Sequence, residues 1–226
     1  MSHYPYGCLA TPEYLKVKFY EIGFCDSDPI TNGTQFDDSV CHKVWSSSQG
    51  ADVVLSEFSY QSLPGTVNEI PAADYDQAYI IISNQWSIKG SYGLSNGQTF
   101  YTKSDGSITE LETEYGVTTI DINRLSLMES ANNCFFWGED IVHGKLEMSL
   151  NASDNTVATN VSECNSATRI IGSIDLLSPV KIKSGIQDYK LDWLVRQMGF
   201  WVWNDGGNEP TQLRNGPIFP EFLPSN

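Results

Sequence analysis

The sequence predicts an all-β chain, an antiparallel β-sandwich of jelly-roll-like kind with extended terminal arms and little helix. Three observations predict it. Leu15, Val17 and Phe19 alternate with Lys16, Lys18 and Tyr20, the period of two expected of a strand with one buried face. Residues 78–102 read AYIIISNQWSIKGSYGLSNGQTFYT, an apolar strand that runs into a Gly-rich turn and then a second aromatic strand. Their Ile, Tyr and Trp side chains suit a pleated, half-buried surface. Helical spacing, by contrast, is scarce. With 226 residues and 40% hydrophobic content the chain can bury a real core, and sandwiches of this length commonly form one domain. The expected division is an N-terminal arm over residues 1–13, one sandwich domain over 14–204 and an extended tail over 205–226.

The arm, MSHYPYGCLATPE, has neither a basic start nor an apolar stretch, so it does not read as a signal peptide. The first clear strand is YLKVKFY. Residues 26–32, with Pro29 and Asn32-Gly33, read as a loop, and 41–45 and 51–56 are strand candidates on either side of 46–50. Residues 59–71 hold two prolines and a glycine and read as a connector, followed by a turn of helix near 72–75. In the central hairpin Gly90, Gly93 and Asn96-Gly97 supply the positive φ that tight reversals need.

Ser104-Asp105-Gly106 is a further turn. Glu110, Glu112 and Glu114 would repel on one strand face, which places them on a solvated edge or loop. Strand patterns return at 117–122, 134–137 and 144–150, whereas 151–166 is small and polar and reads as a surface loop. Residues 167–177 and 180–182 resume the sheet around Ser178-Pro179. At 189–203 Leu191, Trp193 and Val195 share a strand face, while Leu191, Leu194, Val195 and Met198 also fit helical spacing. The tail beyond Asn204 is rich in Pro and Gly and reads as irregular. Its Ile218, Phe219, Phe222 and Leu223 are too apolar for a free linker, so this chain's own sheet or a neighbour should cover them.

Composition narrows the function. The net charge of −15, from 28 acidic and 13 basic residues, argues against a nucleic-acid partner, because phosphate binding needs clustered Lys and Arg. It suits dense display, where self-repulsion limits unwanted association. No apolar run approaches the roughly 20 residues that cross a bilayer as a helix, so no membrane partner is expected. Cys8, Cys25, Cys41, Cys134 and Cys164 contain no C-x-x-C pair, which excludes zinc-ribbon and thioredoxin spacings. Cys25 and Cys41 are the candidate disulfide and Cys134 with Cys164 a second pairing. The alternative is five packed thiols in a reducing compartment.

No catalytic, metal or cofactor constellation is recognisable. His3, His42 and His143 stand apart from nucleophile and metal-ligand motifs. Glu139-Asp140 could serve a glycosidase only with a carboxylate across a cleft, and a plain surface turn is the simpler reading. Residues 26–28 and 204–209 are oxygen-rich, but neither fits an EF-hand. Asn32, Asn151 and Asn160 each begin an N-x-S/T triplet in polar sequence.

YLKVKFYEIGFC, the polar loop after it, the Leu63-Pro64-Gly65 connector, AYIIISNQWSIKGSY and GQTFYT together resemble β-rich virion-surface proteins of marine bacteriophages. The resemblance covers residues 14–102, with an echo at 174–192. It implies a non-enzymatic capsid decoration (cement) or fibre-like subunit, made in the host cytoplasm, whose partners are copies of itself and other virion proteins. Aromatic anchors dominate such interfaces, so the expected contacts are Tyr4, Tyr6, Trp201, Trp203, Ile218, Phe219, Phe222 and Leu223. Two alternatives belong to other classes. One is an extracellular filament subunit that lends a strand to its neighbour. The other is a carbohydrate-binding module that stacks sugars on Trp86, Trp201 or Trp203.

Overall fold

The computed structural model describes residues 7–31, 35–55, 61–121, 135–141, 144–151, 157–158, 160–185, 189–194, 200–204, 209–215 and 219–224. In chain order the strands begin with β1 (Gly7–Ala10), β2 (Tyr14–Cys25), β3 (Ile30–Thr31), β4 (Gln35–Phe36), β5 (Cys41–Leu55) and β6 (Thr66–Val67). They continue with β7 (Asp74–Ser83), β8 (Gln85–Lys89), β9 (Ser91–Gly93), β10 (Thr99–Thr102), β11 (Ile108–Thr109) and β12 (Thr118–Asp121). Then come β13 (Phe135–Ile141), β14 (Gly144–Asn151), helix α1 (Val161–Ser166) and β15 (Arg169–Lys181). The last are β16 (Tyr189–Leu194), β17 (Phe200–Trp203), β18 (Gln212–Asn215) and β19 (Phe219–Pro224). The protein is all-β, with antiparallel sheets and an α-helix of only six residues.

A nine-stranded sheet is the frame. β2 lies between β5 on one side and the β7–β8 run on the other: Leu15 is opposite both Leu55 and Ile88, and Phe19 opposite both Ala51 and Ile82. At Asn84 the run changes its outer neighbour. β7 pairs with β15, which leads on to β14 and β13, whereas β8 pairs with the short β12. The fork is fixed by Asn84, whose backbone N–H donates to the Thr168 carbonyl at 3.1 Å and whose side-chain amide donates to that of Ala167.

The sequence explains these elements locally. In β2 Leu15, Val17 and Phe19 are buried and alternate with half-exposed residues, as the period of two requires. The strand candidates at 41–45 and 51–56 are one strand, β5. Its partners jump from Ala51↔Phe19 to Ser46↔Glu21, so residues 47–50 bulge from the ladder, and Gly50 at φ 72° supplies the left-handed backbone of the bulge. β15 also spans the interruption expected at Ser178-Pro179, as a register shift between Asp175 and Val180.

From Ala78 to Ser83 both faces of β7 are buried. Ala78, Ile80 and Ile82 join Phe19, Phe24, Ile170 and others in the larger core, to which Val202 of the β1–β17–β18 sheet also belongs. Tyr79 and Ile81 point the other way, into a second cluster with Cys25, Ile30, Val157 and Ile171. Each fully buried Ile contributes about 1.5–3 kcal/mol relative to exposure, so this strand anchors two apolar layers at once.

Several local expectations are corrected. Residues 72–75 form no helical turn, because Tyr75 is a strand residue that stacks on Phe24 and pairs with Val180. Gly90 and Gly93 do not carry the positive φ; Gly97 (90°) and Gly106 (85°) do, in the β9–β10 and β10–β11 turns. The polar stretch 151–166 ends in a helix, α1, whose N-cap Asn160 accepts a hydrogen bond from the Glu163 N–H at 3.0 Å. Residues 189–194 take the strand, not the helical, alternative. Part of the N-terminal arm is β1, paired with β17, and within the tail residues 212–215 and 219–224 are strands: β18 pairs with β17 and β19 with β16. Pro220 and Pro224 are tolerated because β19 lies in a two-stranded ribbon and not inside a wider sheet.

Candidate interaction surface

Two regions gather the residues singled out in the sequence. The first is the loop between β2 and β5. Cys25 and Cys41 are register partners on these neighbouring strands and are joined by a disulfide. Asp26 N–H donates to the Val40 carbonyl and Asp37 N–H to the Pro29 carbonyl, so the loop closes on itself as the β3–β4 hairpin. Ile30 is buried beneath it against Tyr79 and Ile81. The loop therefore caps the second core. A closed loop of this length gains about 3 kcal/mol from its cross-link in the chain-entropy account. Cys164 is also disulfide-bonded, while Cys134, the other half of the second expected pairing, lies outside the described residues.

The carboxylates of this loop are engaged locally. Asp28 Oδ1 accepts from the Ile30 N–H at 2.9 Å, and Asp26 Oδ2 lies 3.3 Å from His42 Nε2, whose ring also meets Tyr75 edge-on. Asp37 caps the following 3-10 turn, and its hydrogen bonds from the Ser39 hydroxyl and N–H hold its carboxyl below the usual carboxylate range. Among the described residues no group of three or more His, Cys, Asp or Glu is placed to hold a metal ion.

The second region is formed by the terminal strands. Trp201 is opposite Leu9 and Arg214, and Trp203 opposite Gly7 and Gln212; the Trp203 carbonyl accepts from the Thr211 N–H at 2.8 Å. Phe219, Phe222 and Leu223 stand opposite Leu194, Leu191 and Lys190 in the β16–β19 ribbon. The structure thus brings the tail residues onto one ribbon and the two tryptophans onto another sheet. Tyr4, Tyr6 and Ile218 lie outside the described residues, as do His3, His143, Asn32 and residues 205–208. Glu139 and Asp140 are on β13, with Asp140 opposite Lys145. Trp86 cannot serve as a sugar-stacking platform: it is buried, and its indole N–H donates to the Ser83 carbonyl at 2.8 Å.

Two features escaped the sequence reading. Tyr101 and Tyr115 pack with ring centroids 4.9 Å apart, and Lys89 Nζ sits 3.9 Å over the Tyr115 ring. Burial, and then the hydrogen bond to Glu13 and its charge, push the Tyr115 phenol up. Leu177, on the outward bulge of β15, is 70% exposed, an unusual position for a large apolar side chain in a strand. Neither carries a local sequence signal, since both depend on a bend or on strands distant in the chain.

No protein-family model, curated protein or solved structure matches this chain.

Proposed function

We propose that the chain is a non-enzymatic structural subunit of a virion surface, a capsid decoration or cement protein that works through contacts with copies of itself and with other particle proteins. The observation that carries this reading is the β16–β19 ribbon. Two antiparallel strands alone are marginally stable in water. Among the described residues neither β16 nor β19 pairs with any other strand. A ribbon of apolar sequence whose strands pair only with each other among the described residues is a template for an added strand or for an aromatic-anchored interface. A standard interface buries on the order of 1,600 Å², and the Phe219-to-Leu223 segment offers the residue types that dominate such contacts. The net charge of −15 supports display at high density without indiscriminate association.

Deleting residues 216–226 tests the reading. Sedimentation and particle-binding assays should show assembly lost, while far-UV circular dichroism keeps its β-type spectrum. A truncated protein that assembles as the parent does, or one whose β spectrum collapses, overturns it.

One observation favours a second reading, an extracellular filament subunit. Disulfides persist in oxidising surroundings, and Cys25, Cys41 and Cys164 are all disulfide-bonded. Electron microscopy of the purified protein separates the two: open-ended polymers of this chain alone support the filament, and binding only to preformed particles supports decoration.

A further inference from the structure

The two sulfurs of the Cys25–Cys41 disulfide differ in access. Cys25 is fully buried among Ile30, Tyr79, Ile81 and Ile171, whereas Cys41 is partly exposed at the edge of that cluster. A thiolate attacks a disulfide in line with the S–S bond, so an approach to Cys25 would have to come through the packed cluster, and only Cys41 is reachable. The surroundings of Cys41 are also one-sided in charge. Asp26, Asp28, Asp37 and Asp38 are exposed on the loop that the disulfide closes, and no Lys or Arg lies between Cys25 and Cys41. The basic side chains that follow Cys41 in the chain are already paired, His42 with Asp26 and Lys43 with Glu21.

We propose that Cys41 is the reactive sulfur of a thiol–disulfide exchange site that admits cationic and neutral thiols and disfavours anionic ones. In the first step the thiolate of R–SH forms a bond to Cys41 Sγ. The Cys25–Cys41 bond breaks, and its electron pair leaves on Cys25 Sγ, which takes up a proton from solvent. In the second step another R–SH, as its thiolate, attacks the outer sulfur of the mixed disulfide. Cys41 is released as a thiol together with R–S–S–R, so the protein disulfide is reduced and two small thiols are oxidised. Reduction removes the covalent closure of the loop and leaves it held by the Asp26–Val40 and Asp37–Pro29 backbone hydrogen bonds and by Ile30. The leaving thiolate forms in an apolar cluster, which slows exchange for every thiol. The acidic loop then ranks thiols by their charge. This chemistry is independent of whether the chain assembles on a particle.

The test uses the full chain with cysteamine, 2-mercaptoethanol and 2-mercaptoethanesulfonate, each rate expressed per thiolate and read at this disulfide by peptide mass mapping. At about 10 mM ionic strength cysteamine should outpace the sulfonate by roughly tenfold, and the spread should collapse near 1 M salt, where the Debye length falls to about 3 Å. The trapped mixed disulfide should map to Cys41, and the double variant Asp37→Asn/Asp38→Asn should narrow the spread. Adducts on Cys25, equal rates at low salt, or an unchanged spread in the double variant would each overturn the proposal.

Discussion

At the scale of single residues, Gly23 and Tyr79 explain each other. They are opposite one another on β2 and β7, and a Cβ at position 23 would press on the Tyr79 ring and lie 2.7 Å from the His42 carbonyl oxygen. Glycine is needed there for space, not for an unusual φ. The Tyr79 hydroxyl reaches Glu21 Oε1 at 3.4 Å, and burial, followed by the charge of Glu21, raises its phenol far above the ordinary value. An unfolded tyrosine ionises near pH 10. The folded state holds its proton longer, so this contribution to stability is complete below about pH 10 and is lost as pH rises from there through the folded value. Unfolding by urea between pH 8 and 12 should therefore show an alkaline loss of stability that is shallower in Tyr79→Phe, with Tyr115 supplying part of what remains. An identical slope in the variant would show that Tyr79 is not the titrating group. Tyr79 could be read from the sequence as a strand residue, but its burial on a second face could not, because that face is made by the 26–40 loop.

At the scale of elements, the strands with strict alternation were legible and those fixed by distant partners were not. The Leu15, Val17, Phe19 period marked β2 directly, and Ser178-Pro179 marked the interruption inside β15. β19 was hidden by Pro220 and Pro224, which forbid a sheet interior but not a ribbon, and the four-residue β18 by its place between Pro210 and Pro217. Helix α1 was hidden because six residues are too few to display a period. The α1 cap was present in the sequence as Asn160, three residues before Glu163, yet it reads equally as a polar loop. Replacing Asn160 with Ala removes the cap acceptor and should cost about 1 kcal/mol, which lowers the melting temperature by about 2–4 °C for a chain of this size. Calorimetry gives the answer, and an unchanged melting temperature would mean that α1 does not depend on its cap. The candidate surface was legible in part: the tail's apolar residues announced that they needed cover, and the structure supplies a partner strand, β16, from the same chain.

At the scale of the whole molecule, the class was readable and the strand order was not. The apolar run Ala78 to Ile82 reads as a strand, but nothing local says that both of its faces are buried or that its outer neighbour is β15. That separation has a consequence for biosynthesis. β2, β5 and β7 can zip together as soon as they leave the ribosome, but the outer edge of β7 waits for Arg169–Lys181. At translation rates of about 5–20 residues per second, an edge lined by three successive isoleucines stays uncovered for roughly 4–17 seconds. During that interval the nascent chain is a β-edge template at its stickiest. Ribosome-stalled chains ending at residue 160 should therefore bind hold-type chaperones and aggregate on release, whereas chains ending beyond residue 215 should not. Equal solubility of the two lengths would place the folding-limiting strand elsewhere. The strand that is most secure in the finished protein is thus the one most exposed while the protein is being made.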